Sequence, residues 1–171
     1  DFLGLRNLSV IERALDLMEI STDDRPDIDG VPRDDPATFA MLCKGDSMGV
    51  FQLEGGPMRS LMRSLAPTSF DDVAALVALY RPGPMAANMH RDYADRKNGR
   101  QPVAYLHPDL EEILGDTYGL MLYQESVMRV AQKFAGYTLS EADNLRKACG
   151  KKIRSLIQAE REKFVAGCEA E

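Results

Sequence analysis

The chain has little from which the commoner active sites are built. Its 171 residues hold three cysteines and two histidines. There is no Gly-x-Ser-x-Gly, His-Glu-x-x-His, Cys-x-x-Cys or Walker phosphate loop. Cys43, Cys149 and Cys168 are odd in number and widely spaced. That excludes a complete disulfide framework, argues against a zinc site, and suits reduced cytosolic thiols. His90 and His107 have no neighbours at metal-ligand spacing and read as ordinary surface or turn histidines. No apolar run approaches the ~18 residues of a membrane span, and the first residues do not follow the signal-peptide pattern. A cytoplasmic protein with no membrane partner is expected. Solenoid repeats and low-complexity tracts are absent too. The chain has no initiator methionine and opens on Asp-Phe-Leu-Gly-Leu, as though cut from something longer. Without a self-contained catalytic set, either the chain binds something or its chemistry is shared with sequence outside it.

What is present describes an ordinary globular chain, 44% hydrophobic and 28% charged. It is one domain, or a piece of a larger one, long enough to bury a sizeable core. The net charge of −6 argues against a continuous nucleic-acid coat, so any polyanion contact must be local.

Hydrophobic spacing predicts a mainly α-helical fold with two or three short strands. Ser9 and Glu12 form a candidate capping box for a helix over 9–20, with Ile11, Ala14, Leu15 and Met18 on one stripe. Residues 21–36 hold six Asp and three Pro and read as a loop. Asp35 as N-cap and Pro36 at the first helical position open a short helix that Gly45 closes. Met58, Leu61, Met62 and Leu65 share a face over Pro57–Leu65, opposite Arg59 and Arg63. Ser69 caps the next helix, with Val73, Leu76, Val77 and Tyr80 inward, and Arg81-Pro82-Gly83-Pro84 stops it. A helix over Met85–Asn98 and a short acidic one after His107-Pro108 follow. Another carries Val127, Val130, Ala131 and Phe134 as far as Gly136. Ile153, Leu156, Ile157, Glu160 and Phe164 trace the last, ending at Gly167. The expected strands are Asp1–Leu5, Gly49–Glu54 and Gly119–Glu125. The last two echo one another and could pair as a ribbon.

The densest charge lies in Asn144–Lys152, where Arg146, Lys147, Lys151 and Lys152 flank Gly150. Ser140 with Asp143 predicts the start of a helix that Gly150 ends, with Ala142, Leu145 and Cys149 on its apolar face. Cations in a last turn complement the helix dipole and are common for that reason alone. They are also what a phosphate needs: arginine offers a planar fork, lysine a point charge.

Six segments in order resemble one family. They are Asp-Phe-Leu-Gly-Leu-Arg (1–6), Gly-Val-Phe-Gln-Leu-Glu (49–54), Ala-Leu-Tyr-Arg-Pro-Gly-Pro (78–84), Tyr-Leu-His-Pro-Asp-Leu (105–110), Tyr-Gly-Leu-Met-Leu-Tyr-Gln-Glu (118–125) and Leu-Arg-Lys-Ala-Cys-Gly-Lys-Lys (145–152). Together they are similar to the bacterial replicative DNA polymerase III α subunits, the C-family polymerases, along essentially the whole chain.

The resemblance implies a piece running from the palm (1–8, the edge of a palm strand) into a helical fingers subdomain (9–171). It implies that Asp1 is the third palm aspartate, a ligand in a two-Mg²⁺ site whose other ligands lie outside this chain. It also implies that Arg146 and Lys147 reach the incoming dNTP triphosphate, with Lys151, Lys152 and Arg81 as further contacts. The family often has Arg where Lys147 stands, and Met where Cys149 stands. Tyr123 and Gln124 either line the nucleotide pocket or end a strand. Primer-template DNA, dNTPs, the remaining palm and thumb, and a sliding clamp met through other regions are the implied partners. The piece alone would not polymerise. The competing reading is a non-catalytic helical module that binds anions or nucleic acid through 146–152.

Overall fold

The computed structural model describes residues 4–151 and 154–170. Every regular element among them is helical: ten α-helices and two short 3₁₀ turns. Among the described residues no helix is long and apolar enough to cross a membrane.

The main core forms around α3 (Gly56–Leu65). Met58, Leu61, Met62 and Leu65 recur at spacings of three and four, fall on one stripe as the sequence predicts, and are all buried. They meet Leu42 of α2 (Pro36–Cys43), Ala75, Leu76 and Leu79 of α4 (Phe70–Leu79), and Tyr93 and Ala94 of α6 (Met89–Lys97). Each such leucine contributes about 1.5–3 kcal/mol relative to exposure, which makes this cluster the anchor of the chain from α2 to α6. The caps of α2 and α4 are those the sequence predicts. Asp35 accepts from the Ala37 and Thr38 amides ahead of Pro36. Ser69 and Asp72 form a reciprocal capping box. On α4, Val73, Val77 and Tyr80 are only half-buried, and Ala75 and Leu79 take the innermost places.

The Arg81–Pro84 corner does more than stop α4. Proline at the first position of a helix loses only an amide that has no intrahelical acceptor. Pro82 therefore begins α5 (Pro82–Ala86). The helix expected over Met85–Asn98 is broken at Asn88, whose φ is 56°, and α6 starts beyond it.

A second body of helices follows a short 3₁₀ turn at Pro108–Leu110 and α7 (Glu111–Leu114). It consists of α8 (Gln124–Ala135), α9 (Leu139–Lys151) and α10 (Arg154–Ala170), each packed on the other two. Ala131, Ala135 and Ala142 line the contact, with Phe164 and Leu145 closing over them. Gly167 lies inside α10 and does not end it. A Cβ there would sit 2.4 Å from the Ala135 carbonyl oxygen, so the residue is glycine because two helices touch backbone to side.

Four further expectations are corrected. First, no strand occurs among the described residues. In 49–54 the chain curls: the Val50 and Leu53 amides donate to Ser47 and Val50 carbonyls, and Ser47 Oγ donates to the Leu53 carbonyl at 2.7 Å. Gly49 (φ 81°) and Gln52 (φ 63°) take left-handed conformations that a strand does not allow. In 119–125 Gly119 has a φ of 79°, the Leu120 carbonyl accepts from the Leu122 amide and from Thr117 Oγ1, and Gln124 already opens α8. The two stretches do not pair as a ribbon.

Second, the palm-strand edge expected at the start is absent as far as the chain is described. Leu5 caps α1 (Arg6–Thr22), and Asp1–Leu3 lie outside the described residues. Third, Ser9 is therefore inside α1, not its cap, and of the Ile11–Met18 stripe only Leu15 is buried.

Fourth, α9 starts earlier and runs further than expected. Thr138 is the residue in the capping role: its Oγ1 accepts from the Glu141 amide at 3.3 Å, and Glu141 Oε2 accepts from the Thr138 amide at 2.8 Å. Its carbonyl takes the first i→i+4 bond, from Ala142. Gly150 is passed without a stop. Replacing Thr138 by Ala should destabilise the protein by about 0.5–2 kcal/mol, and Ser140→Ala by much less. Paired thermal melts check this, and equal losses would restore the cap to Ser140.

Candidate functional site

The basic stretch is carried on α9, and its orientation follows from what α9 buries. Ala142, Leu145 and Ala148 face α8 and α10. The apolar side thus passes through Ala148, and Cys149, expected there, is exposed. With that side fixed, Asp143, Arg146 and Lys147 stand together on the outer flank.

Asp143 grips both cations. Its Oδ1 accepts from Arg146 Nε at 2.8 Å and Nη2 at 2.7 Å, and its Oδ2 lies 2.6 Å from Lys147 Nζ. These are i,i+3 and i,i+4 neighbours, as the helix repeat requires. Arg146 Nη1 then reaches across to Gln124 Oε1 at 3.1 Å, on the first residue of α8. One guanidinium is therefore held from two helices, while the lysine, 54% exposed in its side chain, is held from one. The two ion pairs are exposed and screened by solvent, so a polyanion can displace Asp143 from its partners.

The surroundings favour an anion. Arg146 and Lys147 outweigh Asp143 in charge, and the exposed Lys151 follows one turn after Lys147. The end of α8 met by Arg146 is its N-terminus, where no side chain caps the free amides. That end carries partial positive charge, offset in part by Glu125 in the first turn. Lys147 first, and Arg146 second, hold the Asp143 carboxyl below its ordinary value. A carboxyl so lowered stabilises the fold above its unfolded pKa, and that contribution disappears as pH falls through the folded value.

The docking of α9 has its own charged contact. Lys163 of α10 donates to Glu141 Oε1 at 2.7 Å and lies 4.6 Å from the centre of the Tyr137 ring. Glu141 is pushed down to about 2, chiefly by Lys163 and then by Thr138. Tyr137 is pushed up to about 12 by burial and by Glu160, which accepts from its hydroxyl at 3.0 Å. These groups place α9; they do not face the cations.

Of the residues singled out by sequence, the structure brings Arg146 and Lys147 together and puts Lys151 on the same helix. Arg81 stands apart at the start of α5, exposed, and its side chain has no hydrogen-bond or ion-pair partner among the described residues. Lys152 and Asp1 lie outside the described residues. Among those described, no group of three or more His, Cys, Asp and Glu side chains is placed to hold a metal ion. The sequence reading missed the part played by Asp143, and it left Gln124 between lining the nucleotide pocket and ending a strand. Asp143, taken as a first-turn acid, could have been found from its Asp-x-x-Arg-Lys spacing. Gln124 is 22 residues from Arg146 and gives no local signal of the contact.

Comparison with known proteins gives the family. Residues 7–171 match the family model described as the bacterial DNA polymerase III alpha subunit finger domain. A protein of Mycobacterium leprae named DNA polymerase III subunit alpha is 54% identical over 174 residues, covering 99% of this chain and 15% of its own length. Its namesake from Mycobacterium tuberculosis is 55% identical over the same shares. That of Bacillus subtilis is 47% identical over 98% of this chain and 15% of its own. The chain thus spans about 15% of the length of the curated relatives it matches.

Proposed function

We propose that this chain, which belongs to the family of bacterial DNA polymerase III alpha subunit finger domains, receives the incoming nucleotide in a DNA-directed DNA polymerase. The single observation that carries the reading is the hold on Arg146. Asp143 and Gln124 fix its guanidinium from two helices beside an uncapped helix N-terminus, with Lys147 and Lys151 on the same helix. A triphosphate would take over the Arg146 fork and the Lys147 ammonium from Asp143, and both contacts would be charge-assisted. Lys151 and Lys152 are further candidates for the same anion, and Arg81 a more distant one.

Asp1 is proposed as one carboxylate ligand of a Mg²⁺ site, with the remaining ligands supplied by sequence outside this chain. When bound, such ions stabilise the attacking and leaving oxygens of a phosphoryl transfer. Residues 1–8 would join the palm and 9–171 make up the fingers. Primer-template DNA, the rest of the palm, the thumb and a sliding clamp would be met by the complete protein, in the cytoplasm.

In the complete polymerase, changing Arg146 and Lys147 together to Gln should lower nucleotide efficiency roughly a hundredfold or more, since each lost contact is worth ~1.5–3 kcal/mol. Affinity for the primer-template should change far less. Arg146→Lys alone should also impair incorporation, because it keeps the charge and loses the fork. Single-nucleotide incorporation on a fixed primer-template, run beside a thermal melt, checks this. A lowered melting temperature with an unaltered nucleotide dependence would leave the cations as helix-dipole partners in a non-catalytic anion-binding module.

Asp1→Asn keeps shape and removes one charge. Turnover should fall by several orders of magnitude while DNA affinity stays near normal. Retention of roughly a tenth of the original turnover would exclude Asp1 as an essential metal ligand.

A further inference from the structure

A cleft of about 520 Å³ opens between the start of α4 and the 115–123 segment, and nothing assigned so far uses it. Its walls carry Ser69, Asp71, Tyr93, Asp116, Tyr118 and Tyr123. The rings of Tyr93 and Tyr118 meet edge to face at 87°, with centres 5.0 Å apart, and make an aromatic corner. Tyr93 is only 3% exposed, lines the cleft, and its hydroxyl has no hydrogen-bond partner among the described residues. The ring is buried while the hydroxyl is open to the cleft, where a ligand can meet it.

The fixed charge on the walls is of one sign. Asp72 is engaged through Oδ2: Lys97 lies 3.4 Å away, and Thr68 and Ser69 donate to it. Asp71 and Asp116 are exposed, and neither side chain has an ion-pair or hydrogen-bond partner among the described residues. Ser69 Oγ is engaged with the Asp72 amide. The acceptors left for a ligand are therefore the Asp71 and Asp116 carboxylates, Asp72 Oδ1, and the hydroxyl oxygens of Tyr93, Tyr118 and Tyr123. Burial and the nearby Asp72 and Asp71 carboxylates push Tyr93 up, and burial and Asp71 raise Tyr123. These phenols stay neutral, with electron-rich ring faces.

We propose that this cleft receives a single organic cation head, the ammonium of a lysine-like amine or the guanidinium of an arginine-like side chain. Anions are repelled by Asp71 and Asp116. A metal ion is disfavoured, since no three carboxylates, thiols or imidazoles converge among the described residues. A positive head group gains from both remaining features: the aromatic corner through its quadrupole, and the carboxylates through charge-assisted hydrogen bonds. The inference does not rest on the nucleotide reading, although Tyr123 immediately precedes the Gln124 that holds Arg146.

The test places 3-fluorotyrosine at position 118 of the complete protein and follows its ¹⁹F resonance. Nα-acetyl-argininamide and Nα-acetyl-lysinamide serve as cations, and Nα-acetyl-citrullinamide as the neutral twin of the first. At least one cation should give a saturable shift that the citrulline probe does not. Asp71→Asn combined with Asp116→Asn should weaken that binding tenfold or more. Each single substitution should weaken it in a protein whose melting temperature is unchanged, which keeps the test valid if the double variant folds poorly. No saturable shift, an equal response to the neutral probe, or undiminished affinity in the singly substituted proteins would overturn the proposal.

Discussion

Close approach of three helices is the constraint on which the candidate site depends. Ala131 and Ala135 on α8, Ala142 on α9 and Gly167 on α10 leave so little between the helices that even a methyl group at 167 would strike the Ala135 carbonyl. Contact that tight fixes the rotation of α9 about its own axis, because the small face has to point inward. Everything chemical on α9 follows from that rotation. With Ala142 and Ala148 inward, Asp143, Arg146 and Lys147 emerge together beside the first residue of α8. A larger residue in the contact would turn the cations elsewhere while leaving the helix intact.

The second requirement is electrostatic, and it is met with little stored energy. Arg146 and Lys147 are paired with a carboxylate that is easily displaced, and they sit beside a helix end whose amides have no cap. Exposed cations without a partner would sample many rotamers, and holding them near Asp143 reduces the ordering that a ligand must impose. A deeply buried pair would have been hard to open. An exposed pair anchored at one point by Gln124 is both ordered and available.

The helical class was legible in the sequence, and so were several ends. Where two independent signals agreed on a residue, the structure agrees too, as with Asp35 before Pro36 and with the four-residue stripe of α3. A serine with an acid three residues on was an uneven guide: it found the cap of α4 at Ser69 and misplaced two others. Ser9 and Ser140 each had an acid three residues on, yet Leu5 and Thr138 precede the helices, because a cap is decided by where packing begins. The expected strands rested on the β-forming side chains of Val50, Phe51, Leu120 and Tyr123. A strand also needs a neighbour for its backbone, and here the side chains of Ser47, Glu54 and Thr117 satisfy that backbone locally. In the candidate site, Arg146 and Lys147 were legible through the family resemblance and Asp143 through its spacing. Gln124 was offered only as one of two readings, and its contact with Arg146 was not legible, since only the packing of α8 on α9 makes it. The Tyr93–Asp116 cleft was hidden for the same reason, being assembled from three separated segments.

The account turns on whether the Arg146 guanidinium exchanges Asp143 for a triphosphate. Its Nε–H can be followed by ¹⁵N-arginine NMR in the complete protein bound to primer-template, assigned by its disappearance in Arg146→Lys. Titration with a non-hydrolysable dNTP matching the template should shift that resonance saturably, and the corresponding nucleoside should leave it in place. A resonance unmoved at saturating nucleotide would mean that Arg146 stays on Asp143, and that the triphosphate is held by other groups.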